Sequence, residues 1–214
     1  MNLSTNYLII KLFCSIVLFS LFSNQSVHAS VTPYIKFKLG YSHYLPIALK
    51  ASGGTGTMKK ADTMSIGGSA GISITLSESF GVRTELEYLY RLPKYTTLVA
   101  TTTALRGRLE TQSLLANAYL DYYIIPNLSL YIGAGLGFSV LNFDLSNFAS
   151  MPSTYVFTTQ GGIGLQYTLF TRFVLDLNVR YTYLGEWKGK IMQDMNIKGQ
   201  SSAIETLFSL GYKL

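Results

Sequence analysis

The chain has 214 residues, of which 48% are hydrophobic and only 13% are charged, and its formal net charge is +6. An average globular chain carries about 25% charged residues, so this composition excludes intrinsic disorder and argues against an ordinary cytosolic enzyme. Beyond residue 29, however, every uncharged apolar run is shorter than the ~20 residues that a transmembrane helix needs. The apolar surface must therefore be used in some way other than a spanning helix.

The N-terminal segment reads as an export signal. Residues 7–22 are predominantly apolar, and small residues at Val27 and Ala29 form a cleavage pattern. The sequence predicts a cleavable signal peptide over residues 1–29 and one domain over residues 30–214, with an uncleaved anchor as the alternative. The single cysteine, Cys14, lies in this signal, and Phe13 before it disfavours lipid attachment. The mature chain then has no thiol for disulfides, metal ligation or catalysis.

Eight segments of the mature chain alternate apolar and polar residues with a period of two, which is the pattern of a β-strand with one apolar face. The predicted strands cover residues 34–42, 64–76, 82–91, 114–123, 128–140, 157–167, 172–183 and 204–214. The Leu and Ala content of residues 114–123 also allows a helix there.

The connections between these segments alternate in length. Tight turns are predicted at residues 77–81, around Pro126 and Asn127, and at 168–171, whereas residues 43–62, 92–112, 141–154 and 185–199 form long loops. Short turns at one rim and long loops at the other are typical of outer-membrane barrels. The sequence therefore predicts an all-β fold, an eight-stranded antiparallel up-and-down transmembrane β-barrel with short periplasmic turns and four long extracellular loops.

The residue types on each face indicate which side meets lipid. The polar faces of the second, fifth and sixth strands consist largely of Gly and Ser, which suit a narrow lumen better than a solvated strand. Aromatic residues gather near the strand ends, as expected at the two membrane interfaces. One predicted girdle contains Tyr34, Tyr122, Tyr167, Phe173 and Tyr212, and the other Tyr41, Tyr88, Tyr90, Phe157, Tyr181, Tyr183 and Trp187. A soluble barrel or sandwich with the apolar face inside is the alternative.

Charged residues on the polar faces are predicted to meet in the lumen. They are Lys36, Lys38, Arg83, Arg91, Arg172, Arg180 and Lys213, opposed by Glu85, Glu87, Asp121, Asp176 and Glu205. Side chains just fill the interior of an eight-stranded barrel, and an unpaired buried charge costs several kcal/mol. We therefore expect a mutually neutralising network that closes the barrel, rather than a catalytic or ion-conducting cluster.

The sequence offers little for catalysis or cofactor binding. His43 is the only histidine beyond the signal. A barrel hydrolase acting on lipid A would need a serine and a carboxylate beside it, but adjacent Ser42 points to the opposite face of a strand. A transition metal would need further His or Cys ligands. We therefore predict no enzyme activity, no metal and no cofactor.

The predicted loops contain most of the basic surplus, which could bind polyanions. The candidate loop contacts are Lys59, Lys60, Lys94, Arg106, Arg108, Trp187, Lys188 and Lys190. Residues 96–105 are uncharged and favour β-structure, so they are predicted to extend the third and fourth strands beyond the membrane as a sheet with an open edge.

Four segments resemble a known family. They are GVRTELEYLYR (81–91), LLANAYLDYY (114–123), YIGAGLGFSV (131–140) and LDLNVRYTYLG (175–185), and they are similar to the small eight-stranded barrels of the opacity-type surface antigen and OmpX/OmpA-barrel superfamily. The terminal LFSLGYKL also resembles that family's last strand, although it ends in Leu214 where the family usually has Phe. The resemblance implies a surface-exposed protein without a cofactor, whose loops act as adhesins or antigens.

We therefore expect a monomeric barrel in the cell outer membrane with both termini in the periplasm. Its predicted function is that of a surface antigen or adhesin that binds a host or environmental macromolecule, such as a matrix protein, through its loops. The main alternative is a structural barrel that binds only membrane lipid and lipopolysaccharide. A small-solute porin and a lipid A-modifying enzyme are weaker alternatives, and export makes nucleic acid an improbable partner.

Overall fold

The computed structural model describes residues 30–51, 54–58, 60–99, 104–145, 153–192 and 195–214. Side-chain environments are described for residues 30–46, 60–93, 108–142, 153–186 and 198–214. The predicted signal peptide, residues 1–29, lies outside this range. Among the described residues, no helix is both long and apolar enough to cross a membrane.

The described residues form ten strands. In chain order these are β1 (Val31–Tyr44), β2 (Ile47–Ala51), β3 (Gly54–Met58), β4 (Ala61–Thr75), β5 (Phe80–Val99), β6 (Ala104–Ile125), β7 (Leu128–Leu145), β8 (Thr154–Leu169), β9 (Phe173–Met192) and β10 (Met195–Lys213). The segment 114–123, for which a helix was an alternative, lies within strand β6.

Eight of these strands close into an antiparallel barrel, which confirms the predicted fold class. Each pairs with its neighbours in the order β1, β4, β5, β6, β7, β8, β9, β10, and β1 then pairs with β10 to close the sheet. The closing pair runs in register from Tyr34 opposite Lys213 to Tyr44 opposite Ala203. Closure leaves no open edge within the barrel wall, as a membrane-spanning sheet requires.

The short strands β2 and β3 form a hairpin within the predicted first loop. Strand β2 pairs with the extracellular end of β10, and β3 pairs with the end of β5 through Met58 opposite Leu98 and Thr57 opposite Val99. Strands β5 and β6 continue together to Val99 and Ala104, as residues 96–105 predicted. At Leu98 and Val99 the predicted open edge is covered, because β3 pairs with β5 there.

The wall places apolar residues outward and polar residues inward. On β1, Ile35, Phe37 and Leu39 are exposed on the outer face, while Lys36 and Lys38 are buried. Lipid is the only medium in which so regular an apolar outer face is favourable, so the orientation is that of a membrane barrel.

Two sequence predictions of orientation are wrong. Tyr34 does not belong to the aromatic girdle; it is buried in the lumen, because it shares the inward face of β1 with Lys36. Arg172 does not belong to the lumen; it lies in the turn before β9, is exposed, and donates a hydrogen bond to the Tyr212 hydroxyl at 2.9 Å.

The turn between β8 and β9 is strained. Phe170 and Thr171 both have positive φ angles, of 47° and 65°, and Arg172 N donates to Leu169 O at 3.2 Å. This is the geometry of a type I′ turn, which Asn-Gly adopts readily but which a bulky or β-branched residue adopts only at a cost. The turn between β8 and β9 is therefore tight although neither Phe170 nor Thr171 favours a positive φ angle.

Two bulges change the strand register near the extracellular rim. On β5, Leu92 and Pro93 lie between the pairs that Arg91 and Lys94 make with β6, and Pro93 lacks the N–H that regular pairing would use. On β9, Gly185 has a positive φ of 74°, and a Cβ atom there would lie 2.5 Å from Phe157 O. The next residue, Glu186, is exposed although it has the parity of the inward residues Thr182 and Leu184.

Candidate functional site

The lumen contains one continuous chain of ion pairs. Ten charged residues are buried among those described, five cations and five carboxylates. Successive members carry opposite charges and run from the periplasmic to the extracellular side in the order Asp121, Arg83, Asp176, Lys36, Glu85, Lys38, Glu87, Arg180, Glu205 and Arg91. The strand alternation brings these side chains inward, and the antiparallel register brings opposite charges to neighbouring levels.

The periplasmic half of the chain centres on Arg83 and Lys36. Arg83 Nε donates to Asp121 Oδ2 at 2.7 Å, and Lys36 Nζ donates to Asp176 Oδ2 at 2.6 Å. The Tyr131 hydroxyl donates to the other oxygen of Asp176, at 2.7 Å, and the Tyr131 ring lies 4.5 Å from the Arg83 guanidinium carbon. A ring face beside a guanidinium adds a cation–π attraction to the ion pairs.

The extracellular half converges on Glu205. Arg91 and Arg180 donate to its carboxylate through their Nε atoms at 2.7 and 2.9 Å, and the hydroxyls of Ser42 and Thr182 donate at 2.7 and 2.8 Å. Hydrogen bonds between charged groups are the strong class, so this carboxylate is held from several directions. Lys38 lies between the halves and pairs with both Glu85 and Glu87.

An apolar layer lies on the extracellular side of the charges. Among the described residues, the inward-facing members that are almost completely buried there include Leu109, Leu141, Val156 and Leu184. Tyr44 joins them and donates its hydroxyl to Thr111 Oγ1 at 3.2 Å. In the middle of the barrel, the void that Tyr119, Gln160, Gly162 and Arg180 line has a volume of about 10 Å³. Side chains thus fill the lumen at both levels.

The predicted lumen residues are brought together, except for Arg172, which is exposed in the turn before β9, and Lys213. Ten of them form the chain of ion pairs, whereas Lys213 lies at the periplasmic mouth, half-buried, with its Nζ 3.2 Å from Thr168 Oγ1. Several partners in the network were not predicted, namely Tyr34, Ser42, Gln166 and Tyr131. Their positions on the inward face follow from the same alternation, which is the signal that could have identified them.

His43 and Asp62 form a pair at the extracellular rim. His43 Nδ1 contacts Asp62 Oδ1 on the outer side of the wall, while Ser42 points into the lumen, so the two neighbours lie on opposite faces as expected. The hydrogen bond from the Tyr41 hydroxyl, together with His43, holds the pKa of Asp62 below its usual value. Among the described residues, no group of three or more His, Cys, Asp or Glu side chains could hold a metal ion.

The candidate loop contacts fall on the extracellular extensions. Lys60 and Arg108 are exposed, and Arg108 Nη2 lies 3.8 Å from Glu110 Oε2. The backbones of Lys94 and Arg106 lie in the paired ends of β5 and β6, and those of Trp187, Lys188 and Lys190 lie in the end of β9, opposite β10. Lys59 lies outside the described residues.

A closed, membrane-facing barrel of eight antiparallel strands with a side-chain-filled lumen defines an outer-membrane β-barrel protein. Comparisons with known proteins agree. Residues 14–211 match the model of the outer membrane protein beta-barrel domain family, and the chain therefore belongs to this family. A search of curated protein sequences finds no match.

The solved structures that are similar to this chain include the following three. OprG from Pseudomonas aeruginosa is 16% identical with a TM-score of 0.54, and the match covers 89% of this chain and 99% of that one. Neisserial surface protein A is 18% identical with a TM-score of 0.50, covering 82% and 97%. The attachment invasion locus protein of Yersinia pestis is 18% identical with a TM-score of 0.45, covering 85% and 98%. At these identities the likeness concerns the fold.

Proposed function

We propose that this protein is a surface-binding barrel of the outer membrane, an adhesin or surface antigen, which contacts a host or environmental macromolecule through its extracellular extensions. The observation that carries the proposal is the filled lumen. Ten balanced charges and an apolar layer occupy the interior, so transport of solutes is a poor use of this barrel. The extracellular end is then the surface available for recognition.

The form of that end supports the proposal. The hairpin of β2 and β3 joins the ends of β10 and β5, so the extensions form one paired sheet in place of separate loops. A paired sheet loses less conformational entropy on binding than a free loop does. Lys60, Arg108 and Lys198 are exposed on it, which favours an acidic or polyanionic partner.

The test replaces the extension while keeping the barrel. One variant substitutes a short turn for residues 47–58, a second does so for residues 94–107, and each is displayed on cells that otherwise adhere poorly. We expect adhesion to cultured host cells or to immobilised matrix proteins to fall to background in at least one variant. The matched control is Lys60→Gln with Arg108→Gln, which should lower adhesion less and make it less dependent on salt.

One outcome would overturn this proposal, provided that both variants fold. Folding of each variant is checked by the shift in gel mobility between heated and unheated samples, since a folded barrel resists unfolding. If both folded variants adhere as well as the unaltered protein, the adhesin proposal is wrong.

A second candidate function is a structural barrel that binds lipopolysaccharide. The rim favours it, because Lys60, His43 and Asp62 lie just beyond the outer girdle tyrosine Tyr41, at the level of lipid head groups. Lys60→Gln should then weaken retention of lipopolysaccharide in purified protein. Equal retention by the variant and the unaltered protein would remove this candidate.

A further inference from the structure

The periplasmic mouth of the barrel contains a cavity that the proposed function does not use. Its volume is about 650 Å³, which is within the usual range for a small-molecule site. It is lined by the turn between β4 and β5, the turn between β6 and β7, and the last inward side chain of β10. The lining residues that matter here are Thr75, Ser77, Glu78, Ser79, Tyr123 and Lys213.

Lys213 is the cation of this cavity, and among the described residues no carboxylate oxygen lies within ion-pair distance of it. Among the described lumen cations, Lys36, Lys38, Arg83, Arg91 and Arg180 each lie within 4 Å of a carboxylate oxygen, whereas Lys213 has only the Thr168 hydroxyl, at 3.2 Å. An ammonium group can donate three hydrogen bonds. Two of its N–H groups are therefore available to a ligand in the cavity.

The neighbouring charges do not supply the missing partner. Asp121 attracts Lys213, but its carboxylate is already 2.7 Å from Arg83 Nε, and Arg83 repels Lys213. The ten buried charges sum to zero. Lys213 is therefore a surplus positive charge at the periplasmic end of a neutral interior.

The geometry points to a periplasmic oxyanion site, in which the Lys213 ammonium binds a phosphate or carboxylate group of a small ligand. Hydroxyl donors on the same cavity, from Ser79, Thr75 and Tyr123, can complete the hydrogen bonding of an oxyanion. The Ser77 hydroxyl is partly used, since it accepts a hydrogen bond from Phe80 N at 3.1 Å. This site is independent of the extracellular surface.

Glu78 allows a second test of the anion site, through its effect on affinity. It also lines the cavity and is exposed, so its carboxylate repels a bound anion without being part of the lumen network. Replacing it with glutamine should tighten binding about two- to threefold at low salt, since one partly screened like charge is removed. A nonspecific surface site elsewhere on the barrel would not respond to this change.

The experiment titrates inorganic phosphate, and separately acetate, into the ¹⁵N-labelled full barrel in a neutral maltoside detergent. Amide shifts of Ser77–Ser79, Tyr123 and Lys213 should saturate together with at least one of the two probes. Lys213→Met should weaken this binding about tenfold or more, as loss of a charged hydrogen bond requires. Lys198→Met, which removes an exposed lysine at the opposite end of the same strand, should leave the affinity unchanged.

The outcomes are distinguishable. A response to phosphate alone identifies a phosphate ester as the ligand class, and a response to acetate alone identifies a carboxylate. The proposal is overturned if neither probe shifts these amides, if Lys213→Met and Lys198→Met behave alike, or if Glu78→Gln has no effect. Because Glu78 is exposed in a turn, its variant keeps the test valid even if Lys213→Met fails to fold.

Discussion

Two carboxylates of this barrel illustrate the difference between its interior and its rim. In the lumen, Glu205 is fully buried and accepts hydrogen bonds from Ser42, Arg91, Arg180 and Thr182. At the extracellular rim, Glu110 faces Arg108 across 3.8 Å, and the Arg108 side chain is 46% exposed. The first carboxylate is one member of a network and the second forms a solvated pair.

The difference separates the residues that hold the barrel closed from those that can bind a partner. A buried ion pair contributes little compared with an apolar core, but removing one member leaves its partner charged and buried, which is strongly destabilising. A surface pair can change at almost no cost to folding. Evolution can therefore vary the rim and the extensions freely, while the interior can change only in compensated sets.

The largest expected effect comes from breaking the interior at Glu205. Glu205→Ala should lower the free energy of unfolding by about 3–5 kcal/mol, because Arg91 and Arg180 lose their shared carboxylate. Glu110→Ala, the matched change at the rim, should cost less than about 1 kcal/mol. Urea unfolding in lipid vesicles measures both. Similar losses in the two variants would contradict the distinction between interior and rim.

A substitution in the apolar layer on the extracellular side of the charges should lower the free energy of unfolding almost as much. Leu184→Ala removes a side chain that is fully buried in the lumen and should cost about 2–4 kcal/mol. Leu184→Met conserves the volume and should cost less than about 1.5 kcal/mol. If Leu184→Ala unfolds at the same urea concentration as the unaltered protein, this layer is not packed as described.

A double substitution in the turn between β8 and β9 should instead raise the free energy of unfolding. Replacing Phe170 by Asn and Thr171 by Gly keeps the type I′ turn but removes the cost of positive φ at a bulky and a β-branched residue. We expect a gain of about 1 kcal/mol in the same urea measurement. The reverse arrangement, Phe170→Gly with Thr171→Asn, serves as the control and should gain a similar amount. A loss of stability in both would show that the Phe170 side chain matters more than the backbone strain.

The smallest effect concerns Asp62 at the rim. Because the Tyr41 hydroxyl and His43 hold its pKa below the ordinary 3.8, Asp62 should titrate below that value in a carbon-13 NMR experiment. A depressed pKa contributes stability above the ordinary value, and that contribution is lost as the pH falls through the folded pKa. Tyr41→Phe should move the titration back toward 3.8. An unchanged titration in the variant would mean that this hydrogen bond is absent.

The sequence predicts most of the wall because a membrane barrel repeats one rule. Each strand alternates outward apolar and inward polar residues, so the eight strands and the ten charges of the lumen follow from the pattern around Lys36, Glu85 and Asp176. Tyr34 was wrongly predicted to lie in the outer girdle, because aromatic residues near strand ends are typical of that position. It lies two residues before Lys36 on β1, and this spacing places its side chain inward. The alternation was the better guide.

Other features depend on geometry that the pattern does not contain. Arg172 has the inward parity of β9, but it lies in the turn with Phe170 and Thr171, before the strand begins, and is exposed. The hairpin of β2 and β3 has short strands with weak alternation, and its pairing with β10 and β5 is set by the barrel around it. Leu89, which breaks the alternation of its strand, is buried in the lumen between Glu87 and Arg91, so an inward position can also hold an apolar residue.

The central claim is that the interior is closed, and planar-bilayer conductance tests it most directly. The purified barrel, inserted in a bilayer in molar potassium chloride, should show no steady open state, while Glu205→Ala should show frequent openings if it inserts. A stable conductance in the unaltered protein, lasting seconds at low voltage, would contradict the closed lumen and with it the inference that function lies at the extracellular surface.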